Sequence, residues 1–407
     1  MKIDISAFGD SLSLALDYAE REVLGIAPYH GSRVAAISAC MAQAAGFSPD
    51  AVFSLTIASL LHDCALAEYL ADELMIVDGK AVVSERSEAD MRLHCSSGEK
   101  IVGAFPSYGL VTGAILYHHE RADGKGAFGL TADQTPFSAR LIHLADAVDF
   151  NWKTETMDRE KYDAVRRWVD ASAGTLTDRE CADLFLSSVS YELMESITGD
   201  KAFDTVRRAA SRREVELSAA DLVGIAGVFA FIIDYKSKFT CRHSSGIAEK
   251  AKKMGKFYGL DEETCDKLYV AGALHDIGKL MVGNDILEKP GRLTDEEFSV
   301  IQNHAVGTHV MLDNVGGLEE IASWAANHHE KLDGSGYPLH KKAEELGRFE
   351  RLMACIDIYQ ALVEDRPYKS GFPHEKAMEI LRSEVSKGHL DAQITEDIDR
   401  CYQTEGF

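Results

Sequence analysis

The sequence predicts an all-α protein built from two tandem copies of one helical domain. Three observations carry that expectation. Apolar residues recur at three- and four-residue spacing through most of the chain, and strand-type alternation is nearly absent. At 407 residues the chain exceeds the length at which a single core keeps growing, so two domains of roughly 200 residues are expected. The phrase HHERADGKGAFG at 118–129 returns as HHEKLDGSGYP at 328–338.

Aligning the two phrases brings other residues into register. His30 pairs with His243, His62 with His275, His94 with His304, His118 with His328 and Asp146 with Asp357, at offsets of 213, 213, 210, 210 and 211. LLHDCA (60–65) matches ALHDIG (273–278), and ARLIHLAD (139–146) matches ERLMACID (350–357). With His119 and His329, ten of the 15 histidines fall at paired positions. The other five (His143, His309, His340, His374 and His389) read as surface or core residues with no special role.

In chain order, residues 1–200 form the first copy. Its clearest helix is SPDAVFSLTIASLLHD, with Ser48 as N-cap and Pro49 at the first helical position. Residues 201–217 are charged and lack a strong apolar stripe, which suits a linker or interdomain helix. Residues 218–407 form the second copy. It opens on the capping-box pattern Ser218-x-x-Asp221 ahead of LVGIAGVFAFII (222–233), a run of 12 residues too short to cross a bilayer and best read as a core helix.

The formal net charge of −23 argues against polymeric DNA or RNA and against an anionic membrane surface as partners. A small anionic ligand stays open, because a local group of metals and Lys or Arg outweighs the global field. The eight cysteines include no C-x-x-C pair and read as buried reduced thiols. MKIDISAFGD has no basic segment followed by an apolar core, so no signal peptide is read and a cytoplasmic location is expected. Oligomeric state is not legible; a dimer is compatible with the sequence.

In the second copy the repeated set is His243, His275, Asp276, His304, His328, His329 and Asp357. Five imidazoles and two carboxylates from five segments exceed what one tetrahedral ion could use, whereas two ions would use them all. The adjacent His275-Asp276 suits a bridge, in which the Asp276 carboxylate spans both ions around a shared hydroxide. Such a pair makes a nucleophile at neutral pH and stabilises the entering and leaving oxygens, so phosphoester hydrolysis is the expected reaction. Mixed imidazole and carboxylate ligands suit Fe, Mn, Ni or Zn.

The second copy resembles the HD-GYP branch of the HD phosphohydrolase superfamily, bacterial phosphodiesterases that open cyclic dinucleotides. RHSSGIA around His243, LHDIGK (274–279), HHEKLDGSGYP (328–338) and CIDIYQALVEDRPY (355–368) carry the likeness. It implies two HD-type helical bundles. It also implies that His243, His275, Asp276 and Asp357 hold one metal, and that Asp276, His304, His328 and His329 hold the other. Lys279 matches the family lysine that contacts the scissile phosphate, and with Asp276 it is the expected catalytic pair. Gly336, Tyr337 and Pro338 match the loop that names the branch. Arg351 and Arg366 match cations near this site that either clamp phosphate or brace the loop. Some members bind a third metal through an acid one turn before the first histidine; Phe239 stands there, so two ions are expected.

The first copy retains every ligand type in His30, His62, Asp63, His94, His118, His119 and Asp146, and a second metal centre is expected there. Leu66 stands where the second copy has Lys279, Ala127-Phe128 replace Tyr337-Pro338, and Glu155 falls where Arg366 falls; Arg140 alone matches its counterpart, Arg351. Losing one cation and reversing another around a polyanion weakens charge stabilisation. This copy is expected to hold metal without opening cyclic dinucleotides, and either to stabilise or regulate the second copy or to act on a different phosphoester, such as the terminal phosphate of the linear product.

The leading expectation is a metal-dependent phosphodiesterase that converts cyclic di-GMP or cyclic GMP-AMP to a linear 5′-phosphorylated dinucleotide. The alternatives are an HD phosphohydrolase of another nucleotide and a cyclic-dinucleotide receptor with little turnover.

Overall fold

The computed structural model describes residues 1–407 apart from 25–26, 66–73, 78–79, 84–87, 106–107, 200, 210–212, 237–242, 288, 290, 366–369 and 404–407. Leu66, Phe239, Cys241 and Arg366 therefore lie outside the described residues. The chain divides into two compact units, Asp4–Val215 and Glu216–Phe407, the second including Met1–Ile3. The amino terminus joins the second unit because Met1 and Leu217 exchange backbone hydrogen bonds, N–H to carbonyl in both directions.

Both units are helical, as the 3–4 residue apolar spacing predicts. In the first, the helix His30–Ala44 packs on Pro49–Leu60 and on Phe137–Trp152. Ser48 Oγ accepts from Ala51 N–H at the start of Pro49–Leu60. In the second, His243–Phe257 packs on Glu262–Leu274 and Arg348–Val363, while Asp295–Asp313 packs on Glu319–Ala326 and on the 3₁₀ turn Ile277–Met281. Ser218 and Asp221 make a reciprocal capping box for Ala219–Lys236, and that helix packs on Glu262–Leu274. Among the described residues no helix is long and apolar enough to cross a membrane.

Two glycines set how closely the second unit's site elements approach. A Cβ on Gly272 would meet Ala248 Cα at 2.8 Å, so glycine lets Glu262–Leu274 press against His243–Phe257. A Cβ on Gly278 would run into the backbone of His304 and Thr308. Thr308 Oγ1 fixes that contact by donating to the His275 carbonyl (2.9 Å) and accepting from Gly278 N–H (3.1 Å).

Strands are few among the described residues, as the near absence of strand-type alternation predicts: Lys2–Asp4, Glu214–Glu216, and an antiparallel hairpin of Leu74–Val77 with Lys80–Val83. Segment 201–217, read as a linker or interdomain helix, holds a helix. Its helix Lys201–Ala209 packs on His30–Ala44 inside the first unit, because Ala202 and Val206, four residues apart, bury one narrow face. Seven of the eight cysteines are described and none of these seven is in a disulfide, with Cys40 half-buried and six buried.

Candidate metal centres

In the second unit five helical or turn segments bring seven side chains to one point. His243 opens its helix, His275-Asp276 follows Glu262–Leu274, and His304 lies within Asp295–Asp313. His328-His329 follows Glu319–Ala326, and Asp357 lies within Arg348–Val363. Asp276 is central and 1% exposed. Its Oδ2 lies 3.0 Å from Nε2 of His275 and 3.8 Å from Nε2 of His243; its Oδ1 lies 3.3 Å from Nε2 of His304 and 3.8 Å from Nε2 of His328. The carboxylate thus faces two histidine groups with two different oxygens. Asp357 completes the ring, 3.1 Å from His243 Nε2 and 3.5 Å from His329 Nδ1.

Backbone carbonyls set the ring tautomers. His275, His304 and His328 each place Nδ1 within 2.5–2.8 Å of the carbonyl three residues upstream, that of Gly272, Ile301 and Ala325. A proton donated there leaves the Nε2 lone pair free and aimed at the cluster, as a metal ligand requires. His275 Nε2 and Asp276 Oδ1 are buried with no hydrogen-bond partner. Orphaned acceptors of this kind are costly unless a cation satisfies them, so the donor set fits a divalent metal.

The electrostatics agree with that reading. Burial opposes the charge on Asp276, but His275 and Lys279 hold its carboxyl well below the usual range. Burial pushes His328 far down and His329 to about 3, keeping both imidazoles neutral. Burial also disfavours a charged His243, yet hydrogen bonds to Asp357 and Glu364 override it and push the ring up to about 9.

Lys279, on the 3₁₀ turn, places Nζ 2.5 Å from Asp276 Oδ2. The loop after His329 folds over the site. Glu330 accepts from Leu339 N–H at 2.6 Å and Lys341 N–H at 3.0 Å, and Tyr337 N–H donates to the His329 carbonyl. Tyr337 then lies over His329, ring centroids 4.7 Å apart. The Tyr337-Pro338 peptide is cis, and Gly336 fits because a Cβ there would sit 2.5 Å from Glu330 Cα.

Arg351 is not at the cluster. Its guanidinium donates to the carbonyls of Leu346 and Ala343 and to Asp391, which caps the helix Ala392–Tyr402. Arg140 does the equivalent in the first unit, donating at 2.7 Å to Asp178, the cap of Arg179–Ser188. Both arginines brace.

The first unit assembles all seven of its expected ligands. Asp63 Oδ1 lies 3.0 Å from His94 Nε2 and 3.6 Å from His118 Nε2, and Asp63 Oδ2 lies 3.5 Å from His62 Nε2. Asp146 Oδ1 lies 3.4 Å from His30 Nε2, and the His94 and His119 rings are 5.6 Å apart. Buried Nε2 atoms of His30, His62, His94 and His118, with Asp63 Oδ1, have no hydrogen-bond partner, so this set also fits a metal. Its loop differs: Ala127 replaces Tyr337, and Phe128 packs on Tyr117 instead of on a ligand imidazole.

Sequence reasoning missed three supports. Asp149 holds His30 Nδ1 at 2.6 Å and is itself gripped by Arg33. Glu364 takes the same place behind His243, 3.0 Å from Nδ1. His143, read as having no special role, is buried between the carbonyls of His118 and Leu176. A spacing signal existed: Asp149 is three residues beyond Asp146 and Glu364 seven beyond Asp357, positions that share a helix face.

A helical bundle with buried His and Asp clusters of this composition defines a class of metal-dependent hydrolase. Residues 17–165 and 227–394 both match the HD domain family, and the chain belongs to that family, in its HD-GYP branch, with the domain present twice. The 3′3′-cGAMP-specific phosphodiesterase 1 of Vibrio cholerae is 31% identical over 385 residues, covering 92% of this chain and 87% of that protein. A cyclic di-GMP phosphodiesterase of Pseudomonas aeruginosa is 34% identical over 158 residues, 39% of this chain and 38% of its own. The crystal structure of a cyclic GMP-AMP specific phosphodiesterase of V. cholerae shares the fold with a TM-score of 0.66 at 21% identity, covering 100% of this chain and 99% of that one.

Proposed function

We infer that this chain is a metal-dependent cyclic dinucleotide phosphodiesterase whose second unit opens the ring to a linear 5′-phosphorylated dinucleotide. The observation that carries the reading is Asp276, which turns one oxygen toward each of two histidine groups while Lys279 touches it from a third side. His243, His275, Asp276 and Asp357 would hold one divalent ion, and Asp276, His304, His328 and His329 a second. Ions held this way lower the pKa of bound water and neutralise charge on phosphoryl oxygens.

The chain's own residues do the rest. The carbonyl-anchored imidazoles keep their lone pairs on the site without reorganising. Lys279 is placed to shift from Asp276 to a phosphate oxygen when substrate arrives. Tyr337, carried by the Gly336–Pro338 loop, shields His329 and offers a face to a base. Between the two substrates, cyclic GMP-AMP is the better candidate, since a relative that aligns across both copies is named for it. For the first unit we propose a metal centre that does not open cyclic dinucleotides: its loop lacks the tyrosine.

The test is product analysis of the purified chain with Mn²⁺ or Fe²⁺ on both cyclic dinucleotides, beside Asp276→Ala. Linear product, lost in the variant, is expected. Tight binding without product under either metal would replace the enzyme by a receptor.

A further inference from the structure

We propose that Glu364 is a positioning residue that orients His243 as a metal ligand, standing in for an arginine–aspartate pair that the second unit has lost. The inference rests on the second cluster being a metal centre.

In the first unit the support behind the leading histidine is Asp149. Its Oδ2 lies 2.6 Å from His30 Nδ1, and Arg33 binds the same carboxylate through Nε at 2.6 Å and Nη2 at 2.9 Å. The offset that pairs His30 with His243 places Gly246 at the Arg33 position, and the offset that pairs Asp146 with Asp357 places Gln360 at the Asp149 position. Cation and anion are gone together. The two replacements touch: a Cβ on Gly246 would lie 2.5 Å from the Gln360 amide nitrogen, so the amide fills the space left by the guanidinium.

Glu364 restores the carboxylate from four residues further along the same polypeptide. Its Oε2 lies 3.0 Å from His243 Nδ1, and its side chain is 7% exposed. With Nδ1 held there, Nε2 faces Asp357 at 3.1 Å and Asp276 at 3.8 Å. Among the described residues no lysine or arginine pairs with Glu364, whereas Arg33 pairs with Asp149. A carboxylate behind a ligating imidazole fixes its orientation and raises its basicity, and removing one weakens metal binding by about 10–100-fold.

The experiment uses the full chain, stripped of metal and titrated with Mn²⁺ by equilibrium dialysis and elemental analysis. It compares wild type, Glu364→Gln, and Glu364→Gln combined with Gln360→Asp and Gly246→Arg, which moves the first unit's arrangement into the second. Glu364→Gln is expected to weaken the tightest Mn²⁺ of the second unit by about 10–100-fold while the metal-free chain stays folded by circular dichroism at the titration temperature; the triple variant regains most of that loss. Wild-type affinity in Glu364→Gln would overturn the proposal. So would a loss of affinity that follows from unfolding of the metal-free chain, since that marks a merely structural role, and so would no recovery in the triple variant. A wild-type chain that takes up no Mn²⁺ would instead overturn the metal-site reading beneath it.

Discussion

Lys279 Nζ lies 2.5 Å from Oδ2 of Asp276, the carboxylate that faces both histidine groups. On the proposed reading, a cation in that place balances the Asp276 charge when substrate is absent and turns to a phosphate oxygen when it is present. Its value is in the transition state, where charge grows, so Lys279→Met should lower kcat by about 10²-fold or more with little change in metal content. Steady-state kinetics beside elemental analysis checks this; a variant that loses metal in proportion to activity would make Lys279 a structural partner of Asp276.

The glutamate of the repeated HHE phrase does not ligate. Glu330 closes the loop by accepting from Leu339 and Lys341, as Glu120 does from Phe128 and Leu130 in the first unit. Glu330→Ala leaves two amide donors unpaired, at about 1–3 kcal/mol each where they are buried. A melting temperature lowered by a few degrees and a raised KM are expected, measured by calorimetry and kinetics on the same preparation.

Gly336 is the tightest point of that loop. An alanine there would press its Cβ against the backbone of Lys331, Glu330 and His329, none of which can yield as a flexible side chain would. Gly336→Ala is expected to displace Tyr337 from His329 and remove most cyclic dinucleotide turnover, while Mn²⁺ content stays at the wild-type level. Normal turnover would show that Tyr337 placement is dispensable.

Much of the site was legible because duplication printed the ligand spacing twice; no single His-Asp pair would have stood out from the background of core polar residues. The repeat could not reveal supports that the copies do not share. Asp149 and Glu364 do the same work from positions 149 and 364, which the alignment does not match, so histidine register points to neither. Arg140 and Arg351 mislead in the other direction. They match in register, yet they match as braces on the caps Asp178 and Asp391, because a helix-start aspartate is a partner that sequence distance conceals. The small strands and the buried Ala202–Val206 face escaped notice for a simpler reason: two or three buried residues make too short a period to read.

The first unit's cluster predicts a separable metal. Asp63 lies among His62, His94 and His118, so Asp63→Ala should remove at least one ion per chain. Hydrolysis of cyclic GMP-AMP by the second unit should fall by less than about threefold, against complete loss in Asp276→Ala, because each unit builds its cluster from its own residues and sites with no shared partners contribute additively. Elemental analysis with product quantification decides it; equal losses in the two variants would make the first centre part of the catalytic machinery.

In the metal-free chain His243 is pushed up to about 9 by Asp357 and Glu364, which overcome its burial. The ordinary imidazole value is about 6.5, so the folded ring holds a proton that the unfolded chain releases between those limits. The stabilisation is fully present below about pH 6.5, declines as pH rises, and is gone above about pH 9. Metal binding runs against it, since ligation needs the neutral ring and must expel that proton. The melting temperature of the metal-free chain should therefore fall from pH 7 to 9 while Mn²⁺ affinity rises, with about one proton released per ion bound at this site. Calorimetric titration in buffers of different ionisation enthalpy counts the proton. Glu364→Gln, which removes one of the two carboxylates holding it, should move both pH dependences downward; unchanged profiles would show that Asp357 alone sets the charge of His243.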